Sequence, residues 1–162
     1  LVFEEKITPK IFSPDELLKR VNFWRKLGET IVFTNGCFDI LHPGHIHLLA
    51  SCSGFGDHLI VGVNSDASVK RLKGKGRPVN NIQARLTLLA SLQFTDAVLI
   101  FEENTPEKLI HVIKPDVLAK GGDWRPEDIV GSTFVMSYGG KVKTVPYLKG
   151  YSTTEIIKRS KG

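Results

Sequence analysis

The amino-acid sequence predicts a single α/β domain: a doubly wound, Rossmann-like parallel sheet of five strands, preceded by a helix. Three observations carry that prediction. The 162 residues amount to about one domain. Short apolar runs alternate with helix-period segments along the chain, which implies right-handed crossovers and helices on both faces of a parallel sheet. A content of 41% hydrophobic and 24% charged residues is globular and excludes a disordered or fibrous chain.

The elements follow in order. Ser13-Pro14-Asp15-Glu16 opens a helix with a cap, a first-turn proline and a capping box, and Leu17, Val21, Trp24 and Leu27 continue it until Gly28. Strand patterns fall at 31–34, 58–63, 96–101, 116–119 and 142–145. Helices are expected over 44–52, around Ile82, Leu86 and Leu89, after a Thr105 cap with Pro106 in the first turn, over 128–138, and over 152–159. The segment Lys70, Arg71, Lys73, Lys75, Arg77, laced with Gly74 and Gly76, reads as a basic loop. In sheets of this kind a ligand lies beyond the carboxyl ends of the strands. The segments to search are therefore 34–45, 64–77, 102–105, 120–125 and 146–154.

Several function classes drop out on composition. The apolar runs are too short and interrupted for a membrane span. Cys37 and Cys52 are the only cysteines, too few for a disulfide framework, which favours a reducing compartment. Residues 1–10 carry Glu4, Glu5 and Lys6 and lack the apolar core of a secretory signal, so the cytoplasm is expected. The sole methionine is Met136, as expected of a piece of something longer. With 22 basic against 17 acidic residues the net charge is +5, and the clustered basic residues suit a small polyphosphate better than a polymer. No nucleic-acid or membrane partner is expected.

The most informative stretch is Thr34-Asn35-Gly36-Cys37-Phe38-Asp39-Ile40-Leu41-His42-Pro43-Gly44-His45. Gly36 lets backbone approach a ligand, and the loop feeds a helix whose free N–H groups form an anion site. His42 and His45 at the mouth of that helix are placed to donate to phosphate oxygens and to charge developing in phosphoryl transfer. The same residues also serve as an ordinary helix entry. Zinc is disfavoured because a third ligand is missing. Cys37 lacks an activating partner for a nucleophile, and His47, His58 and His111 show no partner pattern.

His42-Pro43-Gly44-His45 after Gly36-Cys37-Phe38-Asp39, together with Ser152-Thr153-Thr154 opening a late helix, resembles the nucleotidylyltransferase superfamily. Further segments resemble its adenylyltransferases that make ADP-heptose: 64–68, 70–74, Arg77-Pro78-Val79, Thr105-Pro106 and Lys120-Gly121-Gly122-Asp123. Several ordered motifs are more specific than the histidine pair alone. The resemblance divides the chain into an N-terminal helical extension, 1–30, and a nucleotidylyltransferase domain, 31–162. It implies that His42 and His45, with Lys73, act on the reacting phosphates. Gly36, Cys37, Phe38 and Gly44 would line the phosphate and base site, and Lys73 or Lys75 would clamp the triphosphate. Asp123, Trp124, Tyr151, Ser152 and Thr153 would hold base, ribose and phosphate. Asp39 and Lys120 would serve the acceptor, Lys120 because it follows the fourth strand. No metal site of the chain's own is implied; Mg²⁺ is expected with ATP.

Relative to glycerol-phosphate cytidylyltransferases, Cys37 stands where a threonine is expected, and Tyr147 and Gln93 stand where arginines are. The resemblance therefore implies ATP and a sugar 1-phosphate as partners, heptose 1-phosphate in particular. A separate or fused sugar kinase would work alongside, and self-association is left open. The rivals are a cytidylyltransferase for a polyol or choline-type phosphate and, from another class, a nucleotide- or nucleic-acid-binding module without turnover. A nucleic-acid binder would show steep salt dependence and prefer polymers to free nucleotides.

Overall fold

The computed structural model describes residues 5–160. Leu1–Glu4 and Lys161–Gly162, the outer ends of the two divisions drawn above, lie outside the described residues. Strands β1 (Ile31–Gly36), β2 (His58–Asn64), β3 (Ala97–Phe101), β4 (Val117–Gly121) and β5 (Lys141–Val145) form one sheet in the order β3-β2-β1-β4-β5. All pairings are parallel. Residues alternate between two cores, as period-2 side chains must. Val32, Leu59, Val61, Val63, Val98, Val117 and Ala119 face one side. Ile31, Phe33, Ile60, Leu99 and Leu118 face the other.

The helices are α1 (Pro14–Lys26), α2 (Pro43–Ser53), α3 (Asp66–Lys73), α4 (Ile82–Ala90), α5 (Glu107–Ile113), α6 (Ser132–Ser137) and α7 (Thr153–Ser160). In α1 the expected capping box is present at Ser13 and Glu16, and Leu17, Val21 and Trp24 pack into the second core with Ile31 and Phe33. Among the described residues no helix is long and apolar enough to cross a membrane.

Four local expectations change. Residues 66–73 are helix rather than loop, capped by the Ser65 hydroxyl, which accepts from the Ser68 N–H. The 128–138 helix shrinks to a 3-10 turn, Pro126–Asp128, followed by α6. Gly131, at φ +86 and with Ile110 2.7 Å from where a Cβ would stand, interrupts it. The cap of α5 is Pro106, with no side-chain hydrogen bond, and Thr105 stays outside. Ser152-Thr153-Thr154-Glu155 also has the sequence of a capping box, but at α7 the Glu155 carboxylate accepts from the Lys158 ammonium at 3.1 Å instead of turning back to Ser152.

The sheet is open where the ligand is expected. β1 follows β2 as far as Gly36↔Val63, and β4 follows β5 as far as Gly121↔Val145. Between β1 and β4 the pairing reaches only Phe33↔Leu118. The carboxyl ends of these two strands therefore diverge at the point where the strand order reverses.

Candidate active site

The crevice between the diverging strands holds a cleft of about 640 Å³. Its floor is the turn after β1. Phe38 sits at φ +47 and is 3% exposed, a left-handed backbone that costs about 1–2 kcal/mol for a residue with a side chain. Burial of its ring offsets that cost. A Cβ at position 36 would stand 3.0 Å from that ring, so any other residue there would have to push the ring aside by a few tenths of an ångström. The turn delivers His42 to the N-cap of α2, where its side chain caps nothing, and Pro43 starts the helix. The Gly44 N–H, which no helical carbonyl can reach, is left for a ligand.

The imidazoles of His42 and His45 stack with centroids 3.8 Å apart, and Phe38 meets His45 edge-on at 5.3 Å. A Cβ on Gly44 would stand 3.0 Å from the His42 ring. Burial lowers the pKa of His42, against a smaller opposing effect of its own backbone. Burial, reinforced by neighbouring His42, holds His45 down at about 4, against the Ile40 backbone. Both rings are therefore neutral at pH 7, and the Nδ1 of each is buried without a partner among the described residues. A neutral imidazole keeps one N–H to donate, and an arriving phosphate raises its basicity.

That depression has a stability signature in the free chain. The unfolded chain takes up the His45 proton near the ordinary value of 6.5, whereas the folded chain resists until about 4. Stability therefore falls as pH drops from 6.5 to 4, by about 3 kcal/mol from this residue. Urea unfolding across that range should show a shallower fall for His45→Asn than for wild type. Parallel curves would mean that His45 titrates normally.

Basic side chains surround the pair. Lys120, at the end of β4, reaches across the gap so that its Nζ donates to Asn35 Oδ1 at 3.2 Å. Burial lowers its pKa, the Cys37 sulfur opposes that, and Lys73 adds to it. Burial pushes the Cys37 thiol up although Lys73, Arg85, Arg77 and Lys120 all pull it down. Cys37 therefore remains a neutral thiol at pH 7.

The cleft gathers Gly36, Cys37, Phe38, Asp39, His42, Gly44, His45, Lys73, Lys120, Tyr151, Ser152 and Thr153. Lys75, Asp123 and Trp124 are not on its wall. Lys75 is exposed between Gly74 and Gly76, both at positive φ, and Asp123 is exposed beyond β4. The Trp124 indole nitrogen and the Tyr147 phenol both stand 2.9 Å from where a Gly122 Cβ would be, so Trp124 adjoins the rim. Asp39 differs from its expected acceptor role. It is 1% exposed, and its carboxylate accepts from the N–H groups of Val79 and Asn80 and from Arg77 Nε. Burial would raise its pKa, but those donors hold it below the usual value. Its oxygens are engaged within the protein.

Sequence reasoning assigned no individual role to Arg77, Lys149 or Asn35 on the wall, although all three fall in the segments expected to meet a ligand, and it missed Arg85 beneath the wall. Arg85 is 0% exposed, and its guanidinium donates to the carbonyls of Cys37, Asn64 and Asn80 and to the Asp66 carboxylate. The available signal was its place between Ile82, Leu86 and Leu89, on the apolar stripe of α4.

A parallel sheet that splays at its switch point, with paired imidazoles on a helix entry and cations on either hand, is a nucleotidyltransferase-like fold with a site suited to phosphate groups. The chain belongs to the cytidylyltransferase-like family, whose model matches residues 33–159. It is 51% identical over all 162 residues to the bifunctional protein HldE of Nitrobacter hamburgensis, covering 32% of that protein. It is 54% identical over 147 residues, 91% of this chain, to the bifunctional protein HldE of Nitrosococcus oceani, covering 31% of it. The chain thus spans about a third of the length of these curated relatives. A lipopolysaccharide core biosynthesis protein from Thermoplasma volcanium superposes with a TM-score of 0.61 at 32% identity. That match covers 77% of this chain and 100% of the other. Pantoate-beta-alanine ligase of Francisella tularensis, 17% identical with a TM-score of 0.57, covers 93% of this chain and 76% of its own. It shares the fold.

Proposed function

We propose that the chain transfers an adenylyl group from ATP to a sugar 1-phosphate, namely heptose 1-phosphate, giving ADP-heptose and pyrophosphate. The product would be a precursor of lipopolysaccharide or a related surface glycan. One observation carries the reading: Lys73, Arg77, Lys120 and Lys149 line the cleft against a single carboxylate, Asp39, around the histidine pair. That surplus suits a triphosphate meeting a phosphate monoester. The choice of adenine and heptose is supported by the Lys120-Gly121-Gly122-Asp123 segment, by the absent cytidine-type arginines at Tyr147 and Gln93, and by kinship with a lipopolysaccharide core biosynthesis protein.

In the proposed reaction a sugar-phosphate oxygen attacks the α-phosphorus. The new P–O bond forms as the bond to the pyrophosphate oxygen breaks in line, and no proton has to move. His42 and His45 donate to the α-phosphate oxygens as charge builds there, joined by the free amide at the α2 entry. Lys73 takes the triphosphate role in preference to Lys75, which stands outside the cleft. Lys120 acts as a point charge on phosphate, and Ser152 and Thr153 add a second electropositive helix entry. Asp123, Trp124 and Tyr151 are the base and ribose edge in this scheme. Among the described residues no three His, Cys, Asp or Glu side chains gather around a cation, and Asp39 is saturated. Mg²⁺ is expected to come with the triphosphate, where it would supply neutralisation of phosphate charge.

The relatives named bifunctional are about three times as long as this chain, which supports a fused sugar kinase as the working partner. Cys37 and Cys52 are free thiols, in keeping with a cytoplasmic site of action. The test is pyrophosphate release with four nucleoside triphosphates against a panel of sugar and polyol phosphates. ATP with D-glycero-β-D-manno-heptose 1-phosphate should be the preferred pair and CTP a poor donor. A preference for CTP with glycerol 3-phosphate would sink the assignment.

A further inference from the structure

The basic segment after β2 does not act as one patch. Arg71 turns away, its Nε donating to Asn104 Oδ1 at 2.9 Å. Lys75 faces solvent, and of the rest only Lys73 and Arg77 reach the cleft wall. Of those two, Lys73 is exposed at the end of α3, whereas the Arg77 side chain is only 16% exposed. Its Nε donates to Asp39 Oδ2 at 2.5 Å. Among the described residues no protein acceptor meets its Nη1 or Nη2.

We propose that Arg77, aimed by the buried carboxylate of Asp39, is a phosphate clamp whose Nη1 and Nη2 grip a phosphate group of one of the two substrates. The inference rests on the nucleotidyl-transfer reading of the same cleft. An arginine that serves to neutralise a carboxylate frequently pairs with it through two parallel N–H···O bonds. This one makes a single contact, and from the side. Asp39 does not depend on it for donors either, since Val79 N–H at 2.8 Å and Asn80 N–H at 2.9 Å already reach the carboxylate. The end-on nitrogen pair left over has the spacing of two phosphate oxygens.

The clamp is also held rigid at its base. Asn80 Nδ2 donates to the Asp39 carbonyl at 2.7 Å, and the buried Arg85 Nε donates to the Asn80 carbonyl at 3.1 Å. Residues 77–80 are thereby fastened to the turn that carries the histidines, and little ordering remains to be done when the phosphate arrives. Asp39 thus becomes a positioning residue that acts through Arg77.

The phosphate has two sources, the acceptor monoester and the triphosphate, and kinetics separate them. Pyrophosphate release should be measured for wild type, Arg77→Ala, Arg77→Lys and Asp39→Asn, varying each substrate against saturating amounts of the other. Arg77→Ala should raise the KM of one substrate by roughly 10- to 100-fold, the range for a lost charge-assisted pair, with the other KM within about twofold. A shift in the sugar-phosphate KM identifies the monoester, and a shift in the ATP KM identifies the triphosphate. Arg77→Lys should recover little, because an ammonium lacks the fork. Asp39→Asn should shift the same KM, and the double variant should not add to it. Calorimetric titration of inorganic phosphate and of pyrophosphate into wild type and Arg77→Ala tests the clamp without turnover. It therefore stays decisive even if heptose 1-phosphate is not the acceptor. Weaker binding of either anion in the variant supports the clamp. Unchanged anion affinities and unchanged KM values in folded Arg77→Ala protein overturn it, while wild-type turnover would leave the reading of the reaction standing.

Discussion

His42→Ala and His45→Ala should each lower turnover by roughly a hundredfold or more, the cost of removing one donor aimed at transition-state charge. The expectation rests on where the donors stand. Both rings sit at the entry of α2, stacked at 3.8 Å, and neither side chain caps the helix or bonds another group through Nδ1. A group doing so little for the fold is available to the substrate. The stability change at pH 7 should stay within about 1 kcal/mol, because the lost packing is offset by relief of a desolvated nitrogen. The effect should appear mainly in kcat, since the donors gain most when charge develops on the oxygens they face. The double variant should fall short of the product of the two singles, because the rings act on one phosphate group. Turnover at the wild-type rate in either variant would remove the histidines from the mechanism.

How much of this was legible in the sequence follows from what each element buries. Four of the strands read clearly because a parallel sheet covered on both faces needs apolar runs, such as 59–63, with no solvent side to interrupt them. The edge strand β5, Lys141–Val145, is partly exposed and reads only from Val142 and Val145. The turn from Gly36 to His45 was legible for a different reason: its glycines, proline and histidines each answer a backbone or chemical demand. Helix α3 was not legible. It buries only Ser68 and Val69, too little for a stripe, and its final-turn Lys70, Arg71 and Lys73 look like a solvated loop although they complement the helix dipole. The roles of Asp39 and the two arginines were hidden for a deeper reason. Whether a charged group meets substrate or protein depends on contacts between residues some 40 positions apart, as between Asp39 and Val79 or Asn80. No local pattern encodes that choice.

Arg85→Met should destabilise the chain by about 3–5 kcal/mol and slow turnover in whatever fraction remains folded. The guanidinium is wholly buried and carries four bonds that no other residue replaces: to Cys37 after β1, to Asn64 at the end of β2, to Asp66 at the start of α3, and to Asn80 before α4. Methionine fills a similar volume, so the loss reports hydrogen bonding more than packing. The Asp66 carboxylate, 42% exposed, is rehydrated at little cost. The bond to the Asn64 carbonyl is buried and those to Cys37 and Asn80 are part-buried, and the desolvation of these carbonyls sets the magnitude. Arg85→Lys should recover only a minor part, since one ammonium cannot reach acceptors on four segments. Arg85 has no exposed surface with which to touch substrate, so any loss of kcat must pass through the Cys37 turn and the Asn80 tether it holds. We expect a fall of roughly tenfold or more, because small misplacements of reacting groups are costly. Urea unfolding gives the stability, and pyrophosphate release well below the variant's melting temperature gives the rate. A variant that melts with the wild type would show that the turn and the tether hold themselves. A variant that is destabilised but keeps its full rate would separate the staple of the sheet edge from the geometry of the histidines.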